Sequence, residues 1–470
     1  MFYLACLFAI VATLAGWSAR GPRFAMWAGM LAAILVPVSL TREIRSAHLY
    51  AKTSAAVLGL VLMATQPGIL RIARWRLSDG MIGMIIVAQT LSQIAVNDFR
   101  PLTIPELLRV WLLPYLCGRF LLVKLEETTQ LLGPFAWFAL VLSASTIFES
   151  LTRVNPFSWI GGSAGDLGQI RMGLKRASGP LGHPIYLGNV LVLFYPFALE
   201  AARLSSRRSW KRVLPWLMAA AVCCTMSRGP MIAVILTVYI YWFFAWKRSR
   251  WTLALGGIAT VAIALGAAQT LGRVADEIAN EHRAEDETRI INVNGEEYVY
   301  TGTSHRWLQF LVFGEYVRNA GWFGYGQGMM GIEIDEELQR YFFSIDCHYL
   351  LNHLKHGWAG TAAFGLLMLG VLTDLARVAW KGRDPASRLA GGLFGAILAL
   401  ALALFTVWLQ PGFGWVLAML MGFAANLREC SLVRERGPGF TGNSSVAANG
   451  RVETGVRARA RVRRGTRRRA

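Results

Sequence analysis

The feature that most constrains this chain is a long succession of apolar runs, each close to the length needed to cross a bilayer as a helix, about 20 residues. They fall at 1–17, 22–40, 54–70, 81–97, 107–123, 130–149, 183–202, 213–226, 229–246, 252–271, 357–380, 388–408 and 411–427. Hydrocarbon offers no partner for backbone N–H and C=O groups, so runs of this kind close their hydrogen bonds internally, as helices. Composition agrees: 54% of the 470 residues are hydrophobic and 16% are charged, against roughly a quarter charged in soluble domains. The expected fold is all-α, a polytopic transmembrane protein with about 12–13 spans. The first, third and eighth runs are short for a crossing. The first has neither a basic leader nor a cleavage site, so it reads as a retained helix. The six cysteines are scattered, with no CxxC pair, which excludes a zinc ribbon or a disulfide framework.

Short loops rich in Lys and Arg mark the cytoplasmic side. Arg71/Arg74/Arg76, the Arg203–Arg212 cluster, Lys247/Arg248/Arg250 and Arg377/Lys381/Arg383/Arg388 all fall on one side if the spans alternate. The tail from Arg428 joins them, with twelve Arg against three Glu. Beside so apolar a body, that tail reads as disordered and facing anionic lipid rather than nucleic acid. Residues 41–53 disagree, since Arg42, Arg45 and Lys52 land outside; the helix count before residue 80 stays open. The organisation expected is N-terminal spans (1–106), central spans (107–271), a large extracytoplasmic loop (272–356), C-terminal spans (357–427) and the basic tail (428–470). Within the large loop, residues 275–287 are acidic, RIINV and EEYVY flank Asn294-Gly295 as a hairpin, and GWFGYGQGMMG (321–331) is too glycine-rich to be regular.

No nucleotide-binding loop, HExxH or EF-hand sequence is present, so neither a cofactor nor a metal is expected. What stands out is a set of cations on the outer side. Arg176 opens RASGPLGHP, whose glycines and prolines shape a tight approach to a span; it is either an interfacial anchor or a phosphate-binding cation. Arg228 lies in the SRG break, where the positive-inside bias disfavours a cation without a specific reason. Arg306 opens an amphipathic helix with Trp307, Phe310, Leu311 and Gly314 on one face, and ion pairing with the acidic segment is its alternative role. In IDCHYLLNHLKHGWAG (345–360), Asp346 or His348 is suited to general base catalysis, or Asp346 simply caps a helix. His353 and His356 stand close by on the same helix, without the second ligand cluster a metal requires. Arg109 and Arg119 lie within an apolar run and either line the same cavity or pair with carboxylates such as Glu106.

Taken in order, RASGPLGHPIYLG (176–188), SRG (227–229), GWFGYGQG and DCHYLLNHLKHGWAG (346–360) resemble the bacterial O-antigen ligase and polysaccharide polymerase superfamily, with LPYLCGR (113–119) similar to a segment of exopolysaccharide polymerases. The resemblance spans roughly residues 107–425. It implies a lipid-carrier glycosyltransferase fold in the bacterial inner membrane, using undecaprenyl-diphosphate-linked glycan. Arg176, Arg228 and Arg306 would hold the diphosphate. Two departures bear on the reaction. Ligases of the family carry a histidine eleven residues before the final-block glycine, where this chain has Asp346, with His348 two positions later; and Ile185 replaces the Asn usual after His-Pro.

The implied reaction is polymerisation of lipid-linked repeat units. Its rivals are ligation of finished glycan to lipid A–core and, from another class, transport or flipping of a polysaccharide precursor. Transporters tend to show inverted repeats with broken helices at mid-membrane, whereas the unusual residues here gather at one surface. A diphosphate leaving group removes the need for ATP or a sugar nucleotide, and guanidinium groups stabilise the charge it develops. The partners expected are the lipid-linked glycan and membrane lipid; a chain-length regulator is left open.

Overall fold

The computed structural model describes all residues except 1, 38–39, 41, 45–46, 50, 70–71, 162–168, 172, 207, 247–251, 253–289, 294, 301–303, 330, 343 and 437–470. The expected span at 252–271, the acidic segment 275–287, Asn294 and nearly all of the basic tail lie outside the described residues.

The chain opens with α1 (Phe2–Arg20) and α2 (Pro22–Leu35), a short hairpin of β1 (Arg42–Ile44) and β2 (Ala47–Leu49), and α3 (Ala51–Ala64). Next come α4 (Leu77–Ala95), the short α5 (Thr103–Leu107), a π-helical turn (Leu108–Leu112) and α6 (Leu113–Arg119). Then follow α7 (Thr128–Thr152), α8 (Ser158–Gly161) and the two-residue strands β3 (Ile170–Arg171) and β4 (Leu174–Lys175). The centre of the bundle is α9 (Pro184–Leu204), α10 (Leu214–Cys224) and α11 (Arg228–Ala245). The stretch between α11 and the last helices contributes β5 (Ile290–Val293), β6 (Glu296–Val299), α12 (Ser304–Val312), α13 (Gly314–Asn319) and α14 (Glu336–Tyr341). The chain closes with α15 (His348–Lys381), α16 (Pro385–Ala403) and α17 (Pro411–Arg436).

The protein is an all-α polytopic membrane protein. Among the described residues, eight helices are long and apolar enough to cross a membrane (α1, α4, α7, α9, α11, α15, α16 and α17), and α2, α3 and α10 are shorter apolar helices. The run at 107–123 is not one helix. Pro114 has no N–H to donate and its ring crowds the preceding turn, and the backbone widens into the π turn just before it. The hairpin expected around Asn294-Gly295 is present, with Val293 paired to Glu296 and Gly295 at φ 87°, a left-handed geometry that glycine adopts without steric cost.

Helix α9 is deeply enclosed, most of its side chains being buried, as are those of α17. Phe194 and Phe197 of α9 pack on Phe135 of α7, with Trp27 of α2 and Phe423 of α17 completing the aromatic core. By contrast α1 exposes Tyr3, Leu4, Leu7, Phe8 and Val11, the apolar outer face that lipid covers. The LPYLCGR segment has a packing role: a Cβ on Gly118 would sit 1.8 Å from Met419 O, and one on Gly422 1.9 Å from Tyr115 O. Helices α6 and α17 meet backbone to backbone through these small residues. Asn426 seals the contact with two hydrogen bonds to Leu122 backbone.

Ion pairs gather at one end of the bundle. Arg76 donates to Asp374 (2.8 Å) and Glu429 (3.1 Å), tying the start of α4 to α15 and α17. Arg388 of α16 meets Glu200 of α9 at 2.5 Å. Arg119 belongs to this end as well, donating to Asp79 (3.1 Å) and Arg74 O (2.8 Å). It is a structural tie between α6 and α4.

The helix that carries the candidate base is broken. Within α15, Gly357 takes φ 59°, ψ −157°, which frees carbonyls before the break and N–H groups after it. The glycine-rich loop at 321–326 answers both sets. Tyr325 and Gly326 donate to Leu354 O (2.7 Å) and Lys355 O (3.0 Å), while Gly321 O and Trp322 O accept from Trp358 and Ala359 (both 3.1 Å). Such close approach requires glycine, since a Cβ on Gly357 would lie 2.5 Å from Trp322 C. Gly357→Ala therefore combines a strained φ, worth about 1–3 kcal/mol, with a backbone clash. It is expected to lower the thermal midpoint of the detergent-solubilised protein and to speed proteolysis of the 321–326 loop. Gly365→Ala, farther along α15 with nothing near its Cβ position, is expected to leave both unchanged.

Candidate functional site

The first part of the site is built from the turn before α9. Glu149, fully buried on α7, accepts from Ser178 Oγ (3.1 Å) and Gly179 N (2.8 Å) and pairs with Lys175 (3.6 Å). Asn155 donates to Gly179 O at 3.1 Å. These contacts pin the RASGPLGHP segment and place Arg176 against the SRG turn. The Arg176 guanidinium donates to Thr225 O (3.3 Å), Ser227 Oγ (3.0 Å) and Gln169 Oε1. All three are neutral. Arg176 is 8% exposed, and among the described residues no carboxylate pairs with it. Burial, and then the like charge of Arg171, depress its pKa from the usual arginine value. A buried cation without a counter-charge is costly in an empty site and well suited to one that receives an anion.

Arg228 begins α11 immediately beyond Ser227 and is exposed, on a helix start with no side-chain cap. Arg306 is exposed on α12; neither makes an ion pair among the described residues. The buried side of α12 carries Leu308 and Gln309, and Trp307 and Phe310 remain uncovered by protein. The acidic segment considered as a partner for Arg306 lies outside the described residues.

Asp346 is partly buried just before α15. It is not the helix cap, because Cys347 occupies that position and makes no side-chain cap bond. Gln309 instead holds the loop: its Oε1 accepts from Asp346 N (3.2 Å), and its Nε2 lies 3.0 Å from Ser344 O and 2.9 Å from His305 Nε2. Ser344 Oγ donates to Asp346 Oδ1 at 3.3 Å. The Asp346 charge acts on His183, at the start of α9, and on His305. The three motifs recognised separately along the chain thus converge, with His183 feeling both Arg176 and Asp346.

His183 accepts from Ile185 N through Nδ1 (3.3 Å), so in its neutral form the proton sits on Nε2. Burial is the main reason that its pKa is lowered; Arg176 adds to the shift and Asp346 opposes it. His305 is also lowered, first by burial, with Asp346 opposing and Arg306 contributing.

The remaining residues of the 345–360 block divide. His353 is structural, its ring nitrogens meeting Val317 O (3.2 Å) and Thr361 Oγ1 (3.3 Å). His348 and His356 instead line a cavity of about 880 Å3 bounded by α4, α5, the π turn, the first part of α15 and the segment before α17. Arg109 stands beside this cavity paired with Glu106. Among the described residues no group of three His, Cys, Asp or Glu could hold a metal ion.

Arg171, Gln309, Glu149, Asn155 and His183 were not singled out from the sequence. His183 stood within a quoted motif, and Arg171 lies five positions before Arg176. For Gln309 and Glu149 nothing local distinguishes them, because the contacts by which they hold Asp346 and Gly179 span 37 and 30 positions. The electrostatics yield a crossed prediction. Arg176→Gln removes a cation that depresses His183, so the His183 pKa rises while that of His305 stays. Arg306→Gln raises His305. The pH dependence of diethyl pyrocarbonate modification, read peptide by peptide, measures both.

The comparisons with known proteins now bear on this geometry. The family model of the O-antigen ligase matches residues 213–365, a stretch that contains the SRG turn, α12, Gln309, Asp346 and the break at Gly357. No curated protein matches the chain. The chain is a multi-pass membrane protein, and its residues 213–365, which carry these parts of the site, are similar to the O-antigen ligase family.

Proposed function

We propose that the protein is a glycosyltransferase of the bacterial inner membrane that polymerises undecaprenyl-diphosphate-linked repeat units at the outer membrane surface. The observation that carries this reading is Arg176, a buried guanidinium that among the described residues meets neutral acceptors and no carboxylate, beside the like charge of Arg171. A lipid diphosphate supplies the missing negative charge, and guanidinium pairs two phosphate oxygens at once. Arg228 and Arg306, exposed and without ion pairs among the described residues, extend the same anion site.

In the proposed step the acceptor hydroxyl oxygen attacks the anomeric carbon of the donor sugar as the bond from that carbon to the diphosphate oxygen breaks. The hydroxyl proton passes to the Asp346 carboxylate, and the diphosphate leaves with its electron pair against the arginines. Preorganised charge of this kind acts where the leaving group develops its own. Asp346 is favoured over His348 as base by hydrogen bonding. The Nδ1 of His348 faces Leu409 N at 3.4 Å, so its neutral form carries the proton on Nε2 and offers a donor, while the carboxylate offers an acceptor. The ligase reading has one observation of its own, that His348 Nε2 is buried without a hydrogen-bond partner among the described residues and His348 lines the cavity.

In a deletion strain, single repeat units in place of long chains are expected on gels of surface polysaccharide and extracted lipid-linked glycan. Complementation with Arg176→Ala or Arg228→Ala is expected to restore no polymer although the protein is inserted in the membrane; full activity of both overturns the assignment. Asp346→Asn is expected to cost at least about 100-fold in rate, a larger loss than His348→Ala. The opposite order, with long chains accumulating on the carrier lipid above bare lipid A–core, would make the protein a ligase.

A further inference from the structure

The cavity beside Asp346 is separate from the arginine cluster. Asp346 stands at the junction: on one side are His183 and Arg176, and two residues onward His348 enters the cavity wall. Tyr186 of α9, whose ring lies 4.7 Å from that of His183 and tilted to it by 42°, meets Trp408 of the cavity wall edge-on at 6.4 Å. A transfer centred on Asp346 places the donor diphosphate on the arginine side, and the acceptor sugar then belongs on the other, in a space whose volume of about 880 Å3 is in the range of small-ligand sites.

Hydrogen-bond donors stand among the apolar side chains of that cavity's wall. Gln89 and Gln93 have their oxygens engaged by Trp111 Nε1 (3.2 Å) and Thr103 Oγ1 (2.8 Å), so each presents its NH2 group. His348 Nε2, which carries the proton as argued above, is buried and has no hydrogen-bond partner among the described residues, and the same is true of His356 Nδ1. The two carboxylates of the lining are neutralised, Asp98 by Arg100 (3.5 Å) and Glu106 by Arg109. Lys355 is the surplus charge: it is partly buried, and among the described residues no carboxylate pairs with it. Its position follows from the break in α15, because its carbonyl accepts from Ser92 Oγ (2.6 Å) and Gly326 N (3.0 Å). Trp111 and Trp408 add the apolar faces on which sugar rings pack.

We infer that this cavity seats the acceptor saccharide and that it selects a sugar bearing a carboxylate, a uronic acid, whose anion meets Lys355 and whose oxygens meet the surrounding donors. One cation among neutral donors matches a monoanion; the more highly charged diphosphate matches the arginine side. The inference rests on the glycosyl-transfer reading above, and binding measurements separate the two.

Isothermal titration calorimetry on the full-length protein in detergent is the test, with glucuronosyl-β-1,4-glucose, its neutral counterpart cellobiose, and geranyl diphosphate as probes. Wild type is expected to bind the uronate disaccharide at least about tenfold more tightly than cellobiose. Lys355→Gln should erase that preference, and Lys355→Arg should keep it, which excludes a folding defect. Equal affinity for the two disaccharides, no binding of either, or a preference that survives in Lys355→Gln would each overturn the inference. Geranyl diphosphate should lose affinity in Arg176→Ala and keep it in Lys355→Gln. Loss in Lys355→Gln would make the cavity the diphosphate seat and overturn the acceptor assignment alone. Undiminished binding in Arg176→Ala would instead overturn the diphosphate role given to that arginine, and with it the reading on which the inference rests.

Discussion

The site depends on one interruption. At Gly357 a membrane helix stops being helical, and the backbone groups it releases are bonded by a loop at 321–326 whose glycines allow the two backbones to touch. Unpaired backbone groups are costly in a low-dielectric bundle, so the break and the loop require each other. What the break achieves is positional. The segment His348–His356 leaves the line of the span that follows, so Lys355 and His356 face the cavity and His353 is locked against Val317. The glycine-rich stretch, irregular when read along the chain, is a clamp in space.

Charge is distributed with the same economy. At one end of the bundle the cations are matched: Arg76 with Asp374 and Glu429, Arg388 with Glu200, Arg119 with Asp79. At the other end Arg176 is buried with no carboxylate paired to it among the described residues, while Arg228 and Arg306 stand exposed. Removing a partner from a buried pair typically costs about 3–5 kcal/mol, which makes the matched end a rigid base. On the proposed reading, the charge at the unmatched end stabilises the departing diphosphate. Around Asp346, Gln309 supplies the corresponding rigidity, fixing the loop through three hydrogen bonds to backbone and imidazole rather than through the carboxylate itself.

Several features were legible in the residues. Apolar runs of bilayer length located eleven helices among the described residues, since hydrocarbon permits little else, and Asn294-Gly295 marked its hairpin. The turn residues around Arg176 and the SRG break marked two turns that meet in the structure, where Arg176 donates to Thr225 O and Ser227 Oγ. Other features were not legible. The run at 107–123 looked continuous, and only the backbone around Pro114 shows it divided by a π turn. Arg109 and Arg119 looked equivalent, yet Arg109 stands by the cavity with Glu106 as its near neighbour, while Arg119 ties α6 to α4 at the opposite end. Asp346 had the residue type and position of a helix cap, but the helix begins one residue later.

The division has a physical basis. Burial in lipid and the φ values open to glycine and proline are properties of short stretches, so the sequence by itself determined that this is a helical membrane protein and where its turns place their cations. Whether a charge is paired is a property of packing. Glu149 reaches Gly179, Asp374 reaches Arg76 and Gln309 reaches Asp346 across 30, 298 and 37 positions, and spacing along the chain carries no record of such meetings. The tertiary structure alone decided that Arg176 is buried with no carboxylate paired to it among the described residues, and that Lys355 lines the cavity.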